Sequence, residues 1–164
     1  MVGTGSAKMI KSSFFTNHHL VGDLCGCGDL EGVKYLVNQG ADIHVDENYA
    51  LGYAARNGHL DVVKYLVEQR ADIHANQGYA LRYAARNGHL EIVKYLVEHG
   101  ADMHVDDDWG LIFAAQWGHL DVVKYLVENG ADIHTNDNWP IQVAHQNNHL
   151  EVVKYLKKQL DFVE

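Results

Sequence analysis

The chain is poor in cysteine, in proline, in positive charge and in long apolar runs, and each shortage closes off a class of protein. Cysteine occurs only at Cys25 and Cys27. Residues two apart do not face each other on a helix, so a disulfide framework is excluded and a reducing compartment follows. The single proline, Pro140, leaves the chain free to form regular structure throughout. Thirteen Lys and Arg against 22 Asp and Glu give a formal charge of -9. That charge repels phosphate backbones and argues against nucleic acid as a partner. No run approaches the roughly 18 to 20 apolar residues of a membrane span. The opening MVGTGSAKMIKSSFF lacks the apolar centre of a secretory signal. Together these point to a soluble, intracellular protein, placed in the cytoplasm and away from membranes.

Histidine is abundant, with twelve in 164 residues. The stretch ADIHVDENYALGYAARNGHLD, residues 41 to 61, crowds histidines and carboxylates together as a metal-dependent hydrolase would. Internal repetition gives a different cause. Four gapless copies of thirty residues start at 41, 71, 101 and 131, and LVGDLCGCGDLEGVKYLVNQG from 20 to 40 is a degenerate copy before them. Eight histidines then fall into two columns: His44, His74, His104 and His134, and His59, His89, His119 and His149. Members of a column sit about 8 to 10 Å apart if helices stack, whereas ligands of one zinc ion lie within about 3 to 4 Å of each other. Within a copy, about eight helical residues separate the two histidines by roughly 12 Å. The sequence therefore predicts no metal site, no cofactor and no catalytic residue.

Each copy reads as a pair of helices. YALGYAARN carries Leu51, Ala54 and Ala55 at helical spacing, with Asn48, Asp108 and Asn138 expected as N-caps. LDVVKYLVE follows, with Leu60, Val63, Leu66 and Val67 expected on one face, Asp61 in the first turn and Lys64 pointing away. Gly40, Gly100 and Gly130 end the second helices, and ADIHVDEN reads as a loop. Arg70 breaks that glycine column, so a left-handed backbone there predicts that Arg70→Gly stabilises the fold. Neither helix is stable alone, and each needs a neighbouring copy to cover its apolar face.

The GHL[DE][VI]V core and the GAD[IM]H link resemble ankyrin repeats over about residues 14 to 160. The usual T-P-L-H-x-A signature stands here as YALGYA, YALRYA, WGLIFA and WPIQVA, and the period is three residues short of the usual one. The GADIHxxxxYALRYA and GHLxVVKYLVE runs are similar to ankyrin proteins of giant DNA viruses of amoebae. The resemblance implies an all-α solenoid of about five stacked helix-turn-helix units, with a shortened turn replacing the family's finger-like hairpin. It also implies a non-catalytic, monomeric module that binds a protein through a concave face built from turn tips and first helices, in the host cytoplasm if viral. The organisation expected is a tail over 1–13 and a repeat domain over 14–164, with units at about 14–40, 41–70, 71–100, 101–130 and 131–164.

Positions that change between copies mark the candidate partner surface: Asn48 and Asp108; Gly52, Arg82, Ile112 and Gln142; Arg56, Arg86, Gln116 and Gln146; Asn57, Asn87 and Trp117. Trp117 replaces asparagine, and reads either as an interface anchor or as a ring lying over its neighbour. Trp109 and Trp139 share the column of Tyr49 and Tyr79, which favours packing. Asp46, Glu47, Asp106, Asp107, Asp108 and Asp137 either steer a basic partner or form a solvated rim. His18, His19, Cys25 and Cys27 have thiols too close in sequence for a usual zinc framework. Polar Lys157, Lys158 and His145 in the last copy, and Asp23 and Gly32 in the first, read as capping substitutions of a complete short array. A structural or engineered scaffold without a specific partner is the competing reading, and a metal-dependent hydrolase is the third.

Overall fold

The computed structural model describes residues 20–160, and of residues 45–48 the main chain only. All secondary structure there is helical, without a strand among the described residues. Ten helices follow in order: α1 (20–27), α2 (Leu30–Asn38), α3 (Val45–Asn57), α4 (Leu60–Glu68), α5 (Ala75–Arg86), α6 (Leu90–Glu98), α7 (Val105–Gln116), α8 (Leu120–Glu128), α9 (Thr135–Gln146) and α10 (Leu150–Leu160). They form two compact units, one ending at Asp72 and the next beginning at Ile73. In the first, α3 packs on α4 and α4 on α2. In the second, α5, α7 and α9 pack in succession, as do α6, α8 and α10. The tail expected over 1–13 lies outside the described residues.

The second helices bury a narrow stripe. In α4 it is Val62, Val63 and Leu66, and in α6, α8 and α10 the same three positions are buried. The sequence expectation put Leu60 and Val67 in this stripe, but both are half-exposed and Val62 takes their place. Adjacent positions 62 and 63 are thus both buried with Leu66, one turn on, and the stripe is centred there rather than on Leu60 and Val67. The first helices bury paired alanines instead: Ala54 and Ala55, Ala84 and Ala85, Ala114 and Ala115, all without exposed surface. Small side chains let these helices lie close together.

Helix ends are closed by main-chain bonds. The N–H groups of Ala41, Ala71, Ala101 and Ala131 donate to the carbonyls of Leu36, Leu66, Leu96 and Leu126, at 2.9–3.0 Å. These bonds need a left-handed residue between, supplied by Gly40, Arg70 (φ 66°), Gly100 and Gly130.

The connection between copies departs from the N-cap expectation. Residues 76–78, 106–108 and 136–138 each run three in a row in the left-handed region, with φ between 49° and 67°. The N–H of Gly78 donates to the His74 carbonyl at 3.2 Å, and that of Asn138 to the His134 carbonyl at 3.1 Å, closing one left-handed turn. A left-handed residue costs about 1–2 kcal/mol unless it is Gly, Asn or Asp, which tolerate it. Here all but Gln77 are one of those three. The short hairpin substitute is thus a left-handed turn, and it explains the run of Asn and Asp without any appeal to ligands. Asp108 and Asn138 hydrogen-bond to histidine rings rather than capping a helix, and the side chain of Asn48 lies outside the described residues.

Candidate functional site

The histidine columns decide which surface remains available for a partner. His59 Nε2 donates to the carbonyl of Gly26 at 3.0 Å, His119 Nε2 to that of Arg86 at 2.9 Å, and His149 Nε2 to that of Gln116 at 2.9 Å. Each acceptor lies in the last turn of the preceding first helix, where carbonyls have no intrahelical partner. The ring thus joins one copy to the next. Its approach requires bare glycine: a Cβ on Gly28, Gly88 or Gly118 would lie 2.4–2.5 Å from the histidine Nδ1. In the last copy Asn148 (φ 62°) holds this position.

The other column works inside the turn. His104 Nδ1 lies 3.0 Å from Asp108 Oδ1, and His134 Nδ1 lies 2.9 Å from Asn138 Oδ1. Preceding aspartates accept the main-chain N–H groups of His44, His104 and His134 at 2.8–2.9 Å. Successive turns are also tied together. Arg82 reaches Asp106 Oδ2 at 2.8 Å and the Asn76 carbonyl at 3.1 Å, Thr135 Oγ1 donates to the Asp107 carbonyl at 2.8 Å, and the Asp132 N–H donates to Asp108 Oδ1 at 3.2 Å. Burial pushes the Asp108 carboxyl above its ordinary range, partly offset by the Asp132 N–H and by His104. Among the described residues no three of His, Cys, Asp and Glu gather as a metal would need.

Beside these joints, the second unit carries an aromatic cluster on its first helices. Tyr79 stacks on Tyr83 with ring centres 4.1 Å apart, Trp109 meets Phe113 edge-on at 4.9 Å, and Tyr83 and Phe113 approach to 6.4 Å. The first two are i, i+4 pairs, so helical geometry alone puts each on one face, and the third links α5 to α7. The Arg86 guanidinium lies over three of the rings, at 5.1 Å from Trp117, 5.5 Å from Tyr83 and 5.8 Å from Phe113. Trp117 keeps 50% of its surface exposed, and Trp109 and Trp139 keep 39% each. The packing role expected for Trp109 and Trp139 is therefore only part of their environment.

The expected surface residues divide. Ile112, at 2% exposure, Gly52 and Asp108 are interior, so these three are withdrawn: variation between copies marks core adjustment there as readily as surface. Asn57 donates to the Gly26 carbonyl at 2.9 Å and belongs to the joint, although it is exposed. Arg56 and Asn87 are exposed, and Arg82 is largely covered by its ion pair. Arg86, Gln116 and Trp117 come together around the last turns of α5 and α7, the carbonyl of Gln116 serving the joint to His149. Gln142 and Gln146 line an open hollow with Ile141, His145, Val153 and Lys157. Tyr83 and Phe113 were missed, because an exchange of one aromatic ring for another looks like framework.

In α1, Cys25 is buried and its thiol is pushed up to about 12, while Cys27 is exposed. Their proposed companions His18 and His19 lie outside the described residues. No helix among the described residues is long and apolar enough to cross a membrane.

Comparison with known families gives a direct match. The family described as ankyrin repeats (3 copies) matches residues 23–107 and 104–163. No curated protein matches the chain.

Proposed function

The chain belongs to the ankyrin repeat family, and from that premise we propose that it is a non-catalytic module which binds a protein partner through the first-helix face of its repeats. The observation that carries this reading is the cluster of Arg86 with Tyr83, Phe113 and Trp117, where a half-exposed tryptophan stands outside every joint between copies. Large rings with open surface and a fixed guanidinium are the residue types that dominate binding energy at protein interfaces. His104, His119, His149 and the Asp106 and Asp108 carboxylates, which could have served chemistry, are engaged in bonds that hold copies and turns together. The likeness of the repeat wording to giant-virus ankyrin proteins supports a setting in the cytoplasm of an infected cell.

Affinity capture from a cell lysate tests it, comparing the wild type with a variant carrying Arg86→Ala, Gln116→Ala and Trp117→Ala. The variant is expected to lose specific partners. Equal retention of every captured protein would remove this face from consideration, and capture of none by the wild type would favour a scaffold without a partner.

A further inference from the structure

We infer that the first-helix face of the second unit receives an extended, arginine-rich segment of its protein partner, with guanidinium groups seated on Trp109 and Trp139 and balanced by Asp107 and Asp137. This inference rests on the protein-binding reading above and adds the chemistry of the partner.

The surface already stacks a guanidinium of its own, since Arg86 lies within 5.1–5.8 Å of three ring centres. Trp109 and Trp139 hold equivalent places in successive copies, each 39% exposed, and among the described residues neither has a cation over its ring. Two residues before each tryptophan stands an exposed aspartate, Asp107 or Asp137, whose carboxylate has no ion pair among the described residues. Arg82 cannot neutralise them, because Asp106 and the Asn76 carbonyl already take its guanidinium. Each of these two copies thus carries an open aromatic ring and, two residues earlier in the chain, an unbalanced negative charge. A planar cation that stacks and forks suits both at once, and guanidinium does so better than ammonium. Phosphate-rich ligands are repelled by the same carboxylates.

Spacing narrows the shape of the segment. Packed helices stand about 8–10 Å apart, which sets the separation of Trp109 from Trp139. A polyproline II segment has three residues per turn and rises about 3.1 Å each, so residues i and i+3 share a face about 9 Å apart. Arg-x-x-Arg therefore falls in step with the tryptophans. In a β-strand, same-face residues recur at about 7 Å and fall out of step.

The test is fluorescence anisotropy with a labelled peptide of three Arg-Ala-Pro repeats, against a peptide of the same composition with its arginines clustered. The spaced peptide is expected to bind saturably and about tenfold tighter than the clustered one, with Trp109→Ala plus Trp139→Ala weakening it by about tenfold or more. Asp107→Asn plus Asp137→Asn keeps side-chain size and tolerance of the left-handed turn. It is expected to weaken binding and flatten its salt dependence. Absence of saturable binding, equal affinity for the two peptides, or indifference to both pairs of substitutions would overturn the inference. If lysate capture still depends on Arg86, Gln116 and Trp117 while the spaced peptide fails to bind, the arginine-rich partner is rejected and the protein-binding reading stands.

Discussion

The first helix of the first copy and those of the second unit hold the same joint beneath different surfaces. In α1 the positions equivalent to Arg82, Tyr83, Arg86 and Asn87 are Gly22, Asp23, Gly26 and Cys27, and the ring of Tyr53 lies against the glycine face, 3.7 Å from where a Cβ of Gly22 would stand. In α5 and α7 the same positions build the aromatic cluster around Arg86. Yet His59 bonds to residue 26 as His119 bonds to residue 86, at 3.0 and 2.9 Å. The acceptor is a main-chain carbonyl, which every residue type supplies. Glycine, arginine and glutamine can therefore stand at that place without loosening the joint, and the side chain above it is released for recognition.

Substitutions in both regions can break this equivalence. Gly28→Ala and Gly88→Ala should each cost about 3 kcal/mol, combining left-handed strain, collision with the histidine ring and loss of its bond. Thermal unfolding that punished one and spared the other would show that the two joints differ. His59→Ala and His119→Ala remove the bond and half-buried ring packing without strain, and about 2 kcal/mol each is expected by urea titration.

Arg86→Gly writes the residue of the first copy into the second unit. It should cost about 1–1.5 kcal/mol through lost helix preference and ring contacts, while the His119 Nε2 proton stays visible by NMR. Disappearance of that proton would mean that the side chain, and not the carbonyl alone, supports the joint.

Arg70 sharpens the comparison at the other helix ends, where a Cβ on Gly100 or Gly130 would meet nothing within 4 Å. The strain there is conformational only, so Arg70→Gly should stabilise by about 0.5–1 kcal/mol. An unchanged or lower melting temperature would reject this.

Asp108→Asn gives the smallest expected change, since Asn138 already fills the equivalent place in the next copy. A carboxyl raised by burial stabilises the fold through its proton at acid pH, and that contribution is lost as pH rises through the raised value. Wild type and variant should match in acid, and the variant should be more stable by under about 1 kcal/mol at neutral pH. A gain of the same size at both pH values would assign it to something other than the carboxyl charge.

Helix pairs were legible in the sequence because repetition multiplies the same physical requirement, whereas the joints showed there only as a histidine column, and the carbonyl each ring reaches is a matter of three-dimensional packing. The left-handed turns were not legible, because Asp and Asn before a helix carry the same signature as an N-cap, and only backbone angles separate the two. At the candidate site, irregularity found Trp117, Arg86 and Gln116, whose side chains face outward or lie half-covered. It also selected Ile112, Gly52 and Asp108, because residues fitted to an interior vary from copy to copy as freely as exposed ones. Tyr83 and Phe113 passed unnoticed for the opposite reason. Their spacing of four from Tyr79 and Trp109 was the available signal.

Because ring and carbonyl lie thirty-three residues apart in a thirty-residue period, a gene that gains or loses a block of ninety nucleotides carries donor and acceptor along in matching number. Such a lineage can grow or shrink by slippage during replication, and natural selection is left to work on what each copy displays.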